Sequence, residues 1–162
     1  MDKFIERWQQ KVADCDNSSP PVKMIPIANT YLPDSAAPFM NFTAAANPAP
    51  IYDLFGIPSD WTDDDRRGLH EYAVIGSDDA GSPICLDGDG RVVILDHEDC
   101  FRTLQFVNSS IWQLSECLLA YLWEHDADRF RSVVDAVDKS ALQLGSFWWH
   151  EAADLADAFG AA

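Results

Sequence analysis

The stretch Tyr72-Ala-Val-Ile-Gly-Ser-Asp-Asp-Ala-Gly-Ser-Pro-Ile-Cys-Leu-Asp-Gly-Asp-Gly-Arg-Val-Val-Ile-Leu-Asp96 reads as three short strands joined by two tight, acidic turns. Each apolar run is short, rich in Ile, Val and Tyr, and bounded by Gly, Asp, Ser or Pro, the pattern of successive antiparallel strands. Asp87-Gly-Asp-Gly supplies a hairpin turn, because Asp-Gly pairs tolerate the positive φ that tight hairpins require. Arg91-Val-Val-Ile-Leu is apolar without alternation, which predicts a central strand covered on both faces. Phe101 to Val107 suggests a fourth strand.

Outward from this core, Asp2 to about Ala13 places Phe4, Ile5, Trp8 and Val12 on one helical face and Lys3, Arg7 and Lys11 on an adjoining ridge. The ridge is expected to meet internal carboxylates. Asn17-Ser-Ser-Pro-Pro ends that helix. The tract to Pro58 reads as an irregular apolar wrap, with a short helix from Ala36 to Ala46. Ser59 to Gly68 reads as a charged loop or one helical turn around Trp61. Three helices are expected after Asn108. The first is capped by Ser110 with Gln113, the second runs from near Asp126 to Gly145, and the third is capped by Ser146.

Hydrophobic residues make up 48% of the 162, enough to bury a core, and the length suits one domain. The expected plan is an α+β domain, a central antiparallel sheet of about four or more strands flanked by N-terminal and C-terminal helices. Within it, 1–58 form the helix and wrap, 59–107 the acidic sheet region and 108–162 the closing helices. No run approaches the ~18 apolar residues of a membrane span. Cys15, Cys85, Cys100 and Cys117 form no Cys-x-x-Cys pair, and the charged start resembles no secretory leader, so reduced thiols in a cytoplasm are expected.

Charge is the strongest functional signal. The net charge is −16, and between Asp53 and Asp99 thirteen carboxylates face only Arg66, Arg67 and Arg91, a local balance of −10. Such a field repels nucleic-acid phosphates and anionic lipid and attracts a basic protein, although acidity also serves solubility alone. The partner-binding candidates are Trp61 with Asp78, Asp79, Asp87, Asp89, Asp96, Glu98 and Asp99. Trp61, Trp112 and Trp123 could each anchor a partner or lie in the core.

Catalytic and metal chemistry finds little support. Asp87-Gly-Asp-Gly opens like a calcium loop and Glu98 falls at its twelfth position, but Arg91 and Val92 occupy the fifth and sixth, where an oxygen ligand and Gly are needed. His97 lies among Asp96, Glu98 and Asp99 and is the one candidate for a metal ligand or general base. His70, His125 and His150 have no His-x-His or His-Glu-x-x-His spacing. Neither a Gly-x-Ser-x-Gly elbow nor a phosphate-binding glycine loop is present. The expectation is a non-enzymatic protein with no catalytic residue, metal or other cofactor.

The ordered set Leu54-Phe-Gly-Ile-Pro58, Tyr72 to Asp78, Gly81-Ser-Pro-Ile-Cys-Leu-Asp87, Gly90 to Glu98 and Phe106-Val-Asn-Ser-Ser-Ile111 resembles the SUKH superfamily. Leu32-Pro-Asp-Ser-x-x-x-Phe-Met40 and Phe147-Trp148 are further, weaker likenesses. That superfamily includes Syd-related proteins, fungal cell-wall regulators and many bacterial immunity proteins of polymorphic toxin systems. The resemblance implies an α+β fold, turn roles for Gly76 and Gly81, and a helix start at Asn108 with Ser109 or Ser110. It also implies binding of a cognate toxin in the cytoplasm, expected here to be a basic nuclease or deaminase. A regulatory scaffold of the same fold, or a small metal-dependent hydrolase using His97, are the competing readings.

Overall fold

A computed structural model describes residues 2–15, 23–28, 30–43, 49–51 and 61–159. The helix α1 spans Asp2–Cys15 and buries Trp8, with Phe4 packed beside it at 5.9 Å between ring centroids. Arg7 on its ridge makes a two-pronged ion pair with Glu116, at 2.8 and 2.9 Å.

The proline-rich tract is more regular than expected. It holds an antiparallel pair, β1 Met24–Ile27 with β2 Thr30–Pro33, followed by β3 Ser35–Ala36 and β4 Met40–Phe42. The short helix expected from Ala36 is therefore replaced over 36–43, while 44–46 lie outside the described residues, as does Leu54–Pro58. Pro38 lacks a donor for a helical turn, whereas Ala36, Met40 and Phe42 all point into the core. Pro26 is tolerated because a two-stranded sheet consists entirely of edges.

The main sheet has six antiparallel strands in sequential order: β3, β4, β5 Ala73–Asp78, β6 Pro83–Leu86, β7 Val92–Leu95 and β8 Leu104–Asn108. All four residues of β7 are buried, as its unbroken apolar run predicts, although β7 is the penultimate strand. Its residues alternate between two cores: Val92 and Ile94 join Trp8, Leu118, Phe130 and Trp148 on the helical face. Val93 and Leu95 join Ile51, Trp61 and Leu69 on the other. Of the loop or single helical turn expected for the charged segment after Trp61, the helical alternative holds and extends to seven residues, α2 Asp63–Leu69.

The C-terminal helices are α3 Ile111–Tyr121, α4 Ala127–Val137 and α5 Phe147–Phe159, giving five α-helices among the described residues. Ser110 caps α3 by accepting from the Gln113 amide, and its hydroxyl donates to the Gln113 side chain at 2.8 Å. Asp126 caps α4. That helix stops at Val137 rather than reaching Gly145. Asp138 turns the chain into a 3₁₀ turn at Lys139–Leu142, leaving Leu144 83% exposed. Ser146 donates its hydroxyl back to the Ala141 carbonyl at 2.6 Å, closing the bend before α5. Helices thus cover one face of an antiparallel sheet from both chain ends, the expected α+β plan.

Candidate functional site

Because consecutive antiparallel strands reverse direction, alternate turns emerge at opposite ends of the sheet. The β5–β6 and β7–β8 turns share one end, and the β6–β7 turn lies at the other. The acidic candidates therefore separate into two groups that sequence proximity had merged. Asp78, Asp79, Asp96, Glu98 and Asp99 belong to the first end; Asp87 and Asp89 belong to the second.

At the second end the carboxylates are already engaged. Asp87 accepts from the Asp89 and Arg91 amides at 3.0 and 2.8 Å and from Arg91 Nε at 2.6 Å, with only 7% of its side chain exposed. Asp89 lies 3.2 Å from the same guanidinium. The hydrogen bond that Arg91 donates to Asp87 raises the Arg91 pKa further, and Gly90 supplies the positive φ of the turn. Asp87 is thus a turn-closing residue.

The first end is built from two turns clamped together. Asp78 Oδ1 accepts from the Ser82 amide at 2.7 Å, and Asn41 donates to Asp79 Oδ1 at 2.8 Å, tying the turn to β4. Asp96 Oδ1 accepts from the Glu98 amide at 2.8 Å. Asp99 accepts from the Arg102 and Thr103 amides at 2.9 and 3.2 Å. Bonding from the Thr103 side chain, and then from these amides, holds the Asp99 carboxyl below its ordinary range. The chain from His97 to Phe101 is a turn rather than a continued strand, and Cys100 and Phe101 both take positive φ. Ser82 Oγ lies 3.0 Å from His97 Nδ1 and bridges the two turns.

Between these turns and the loop at Gly145 opens a hollow of about 480 Å³. Asp78, Asp96 and Glu98 supply its charge, Ile94 and Leu104 its apolar wall, and among the described residues no lysine or arginine lines it. His97 faces the hollow, but Ser82 beside it is 6% exposed, so its hydroxyl is poorly placed to attack a substrate. Among the described residues, no three His, Cys, Asp or Glu side chains are placed to hold a metal ion. Burial pushes the Cys85 and Cys117 thiols up to about 12, far from nucleophilic thiolates.

Trp61 is 7% exposed and meets Phe101 edge-on at 6.5 Å, with Arg102 5.8 Å from its ring, so it anchors the second core. Trp112 is 57% exposed, while Trp123 is half-buried. Phe39, Leu104 and Leu144 are large exposed apolar residues, although the sequence pattern places Phe39 among the wrap residues available for burial and Leu144 on the apolar face of the helix expected to reach Gly145. Leu144 is exposed because that helix ends at Val137, so its helical spacing with Phe130 and Val134 does not carry it to the core.

Among the described residues, no helix is long and apolar enough to cross a membrane. No curated protein and no solved structure matches the chain significantly. The family model described as SUKH-4 immunity protein matches residues 26–157, from β1 to within α5. With most of its length covered by that match, the chain belongs to the SUKH-4 immunity protein family.

Proposed function

We propose that this protein neutralises a basic toxin, of the nuclease or deaminase kind, by forming a stoichiometric complex with it and without catalysing any reaction. The match to an immunity family over residues 26–157 carries the reading, because immunity proteins act on a cognate toxin. Charge supports the basic character of that toxin. An enzyme acting on nucleic acid needs cationic surface to engage phosphates, and a body of net charge −16 attracts such a surface at long range. Steering of this kind raises association rates and rejects anionic competitors, while tight binding depends on desolvated anchors at the contact. The complex forms in the cytoplasm of the producing cell, where an unneutralised toxin would act first.

The test is to search the genes beside this one for a candidate toxin and to co-express the two. Growth is expected to be restored, and the two proteins should co-elute as one complex on size exclusion. Protection without a complex, or a complex without protection, would contradict the mechanism.

A further inference from the structure

We propose that the hollow at the Asp96 end of the sheet is the docking surface, and that its occupant is a toxin loop presenting an arginine or lysine between apolar residues. This assignment rests on the immunity reading above.

Apolar exposure is the first observation. Leu104 is 43% exposed and lines the hollow, and Leu144, 83% exposed, precedes the lining residue Gly145. Phe39, 67% exposed, is held at the same end because its carbonyl accepts from the Asp79 amide at 3.1 Å. Large apolar side chains grouped around a concavity are the anatomy of a contact surface.

Charge selects the occupant. Asp78, Asp96 and Glu98 line the hollow, and among the described residues no lysine or arginine lines it with them, whereas at the opposite end Arg91 already neutralises Asp87 and Asp89. Asp78 and Asp96 each commit Oδ1 to a turn amide, and among the described residues no donor reaches either Oδ2. An incoming guanidinium or ammonium would find acceptors at the rim. Its methylene stem would lie along Ile94 and Leu104, the division between apolar body and charged head that long cationic side chains satisfy.

Binding of the candidate toxin from that co-expression, measured by titration and stopped flow, tests the assignment. The variants are Glu98→Lys and Leu144→Asp, with Asp89→Lys at the other end as control; all three positions are exposed, and circular dichroism checks their folding. Each of the first two should weaken Kd by roughly tenfold or more. Glu98→Lys should act mainly by slowing association and flattening its salt dependence, while Asp89→Lys stays within about twofold of wild type. If the wild type binds and both hollow variants bind equally well, the docking assignment is overturned while the immunity reading stands. If the wild type itself does not bind the toxin, both are overturned.

Discussion

Asp138 is a carboxylate at 4% exposure, and no cation reaches it among the described residues. It is held by neutral donors: Asn108 Nδ2 at 3.1 Å, the Ser109 amide at 2.6 Å and Ser109 Oγ at 2.9 Å. Asn108 in turn accepts from Trp148 Nε1 at 2.8 Å and donates to Cys117 Sγ at 3.4 Å. One polar network thereby joins β8, α3, the end of α4 and α5 inside an apolar core. Asp138→Ala leaves buried donors unpaired and should destabilise the fold by about 3 kcal/mol in urea unfolding followed by tryptophan fluorescence. A change below about 1 kcal/mol would show that the network is dispensable.

Glu151 responds to pH in the opposite sense to most carboxylates. Burial raises its pKa above the ordinary 4.5, against the lowering effect of the Tyr121 hydroxyl, which donates to Glu151 Oε2 at 3.0 Å. Since the folded state favours the protonated acid, the stabilising contribution is complete below pH 4.5 and is lost as pH rises through the raised value. At neutral pH the charged form opposes folding. Glu151→Gln keeps an acceptor for Tyr121 and should therefore raise the melting temperature near pH 7, with the gain shrinking towards about pH 4. An equal gain at both pH values would remove titration as the cause.

At the scale of elements, Gly76 has a role other than the turn role that the family resemblance implied. It lies within β5, opposite Phe42 of β4 and Ile84 of β6, beside a register shift. A Cβ built there would fall 2.2 Å from the Asn41 carbonyl oxygen, so glycine is required by the close approach of β4. Gly76→Ala should destabilise the protein by about 2 kcal/mol or more. Native-state hydrogen exchange should locate the damage at Thr43, whose amide donates to the Ile75 carbonyl at 2.9 Å, while β7 stays protected. Uniform loss of protection would mean that β4 is not the weak element. The β5 to β8 meander was legible because β5, β6 and β7 each end in a Gly- or Asp-bearing turn. By contrast, β1 to β4 are only two to four residues long, too short for periodicity to register.

For the whole molecule, a net charge of −16 works against compactness as well as recruiting a partner. Added salt shortens the Debye length from roughly 30 Å at ~0.01 M to roughly 10 Å at ~0.1 M, screening that repulsion. The melting temperature of the free protein should therefore rise over this range, while toxin association slows. A melting temperature that falls with salt would mean that ion pairs such as Arg7 with Glu116 outweigh the repulsion.

Local chemistry alone was enough to determine the hairpin at Asp87–Gly90, the doubly buried β7 and the Ser110 cap of α3, because turn dihedrals, apolar runs and caps are decided by residues adjacent in the chain. The acid-rich composition was equally visible, but its division was not. Which carboxylates remain available is set within each turn, by Arg91 beside Asp87 and Asp89 or by neighbouring amides, but which of them share a surface depends on strand reversal. The same holds for Trp61, whose burial depends on contact with Phe101, and for Asp138, whose partners lie about thirty residues away. Only tertiary structure brings such groups together, since spacing along a chain carries no information about contacts made across a sheet.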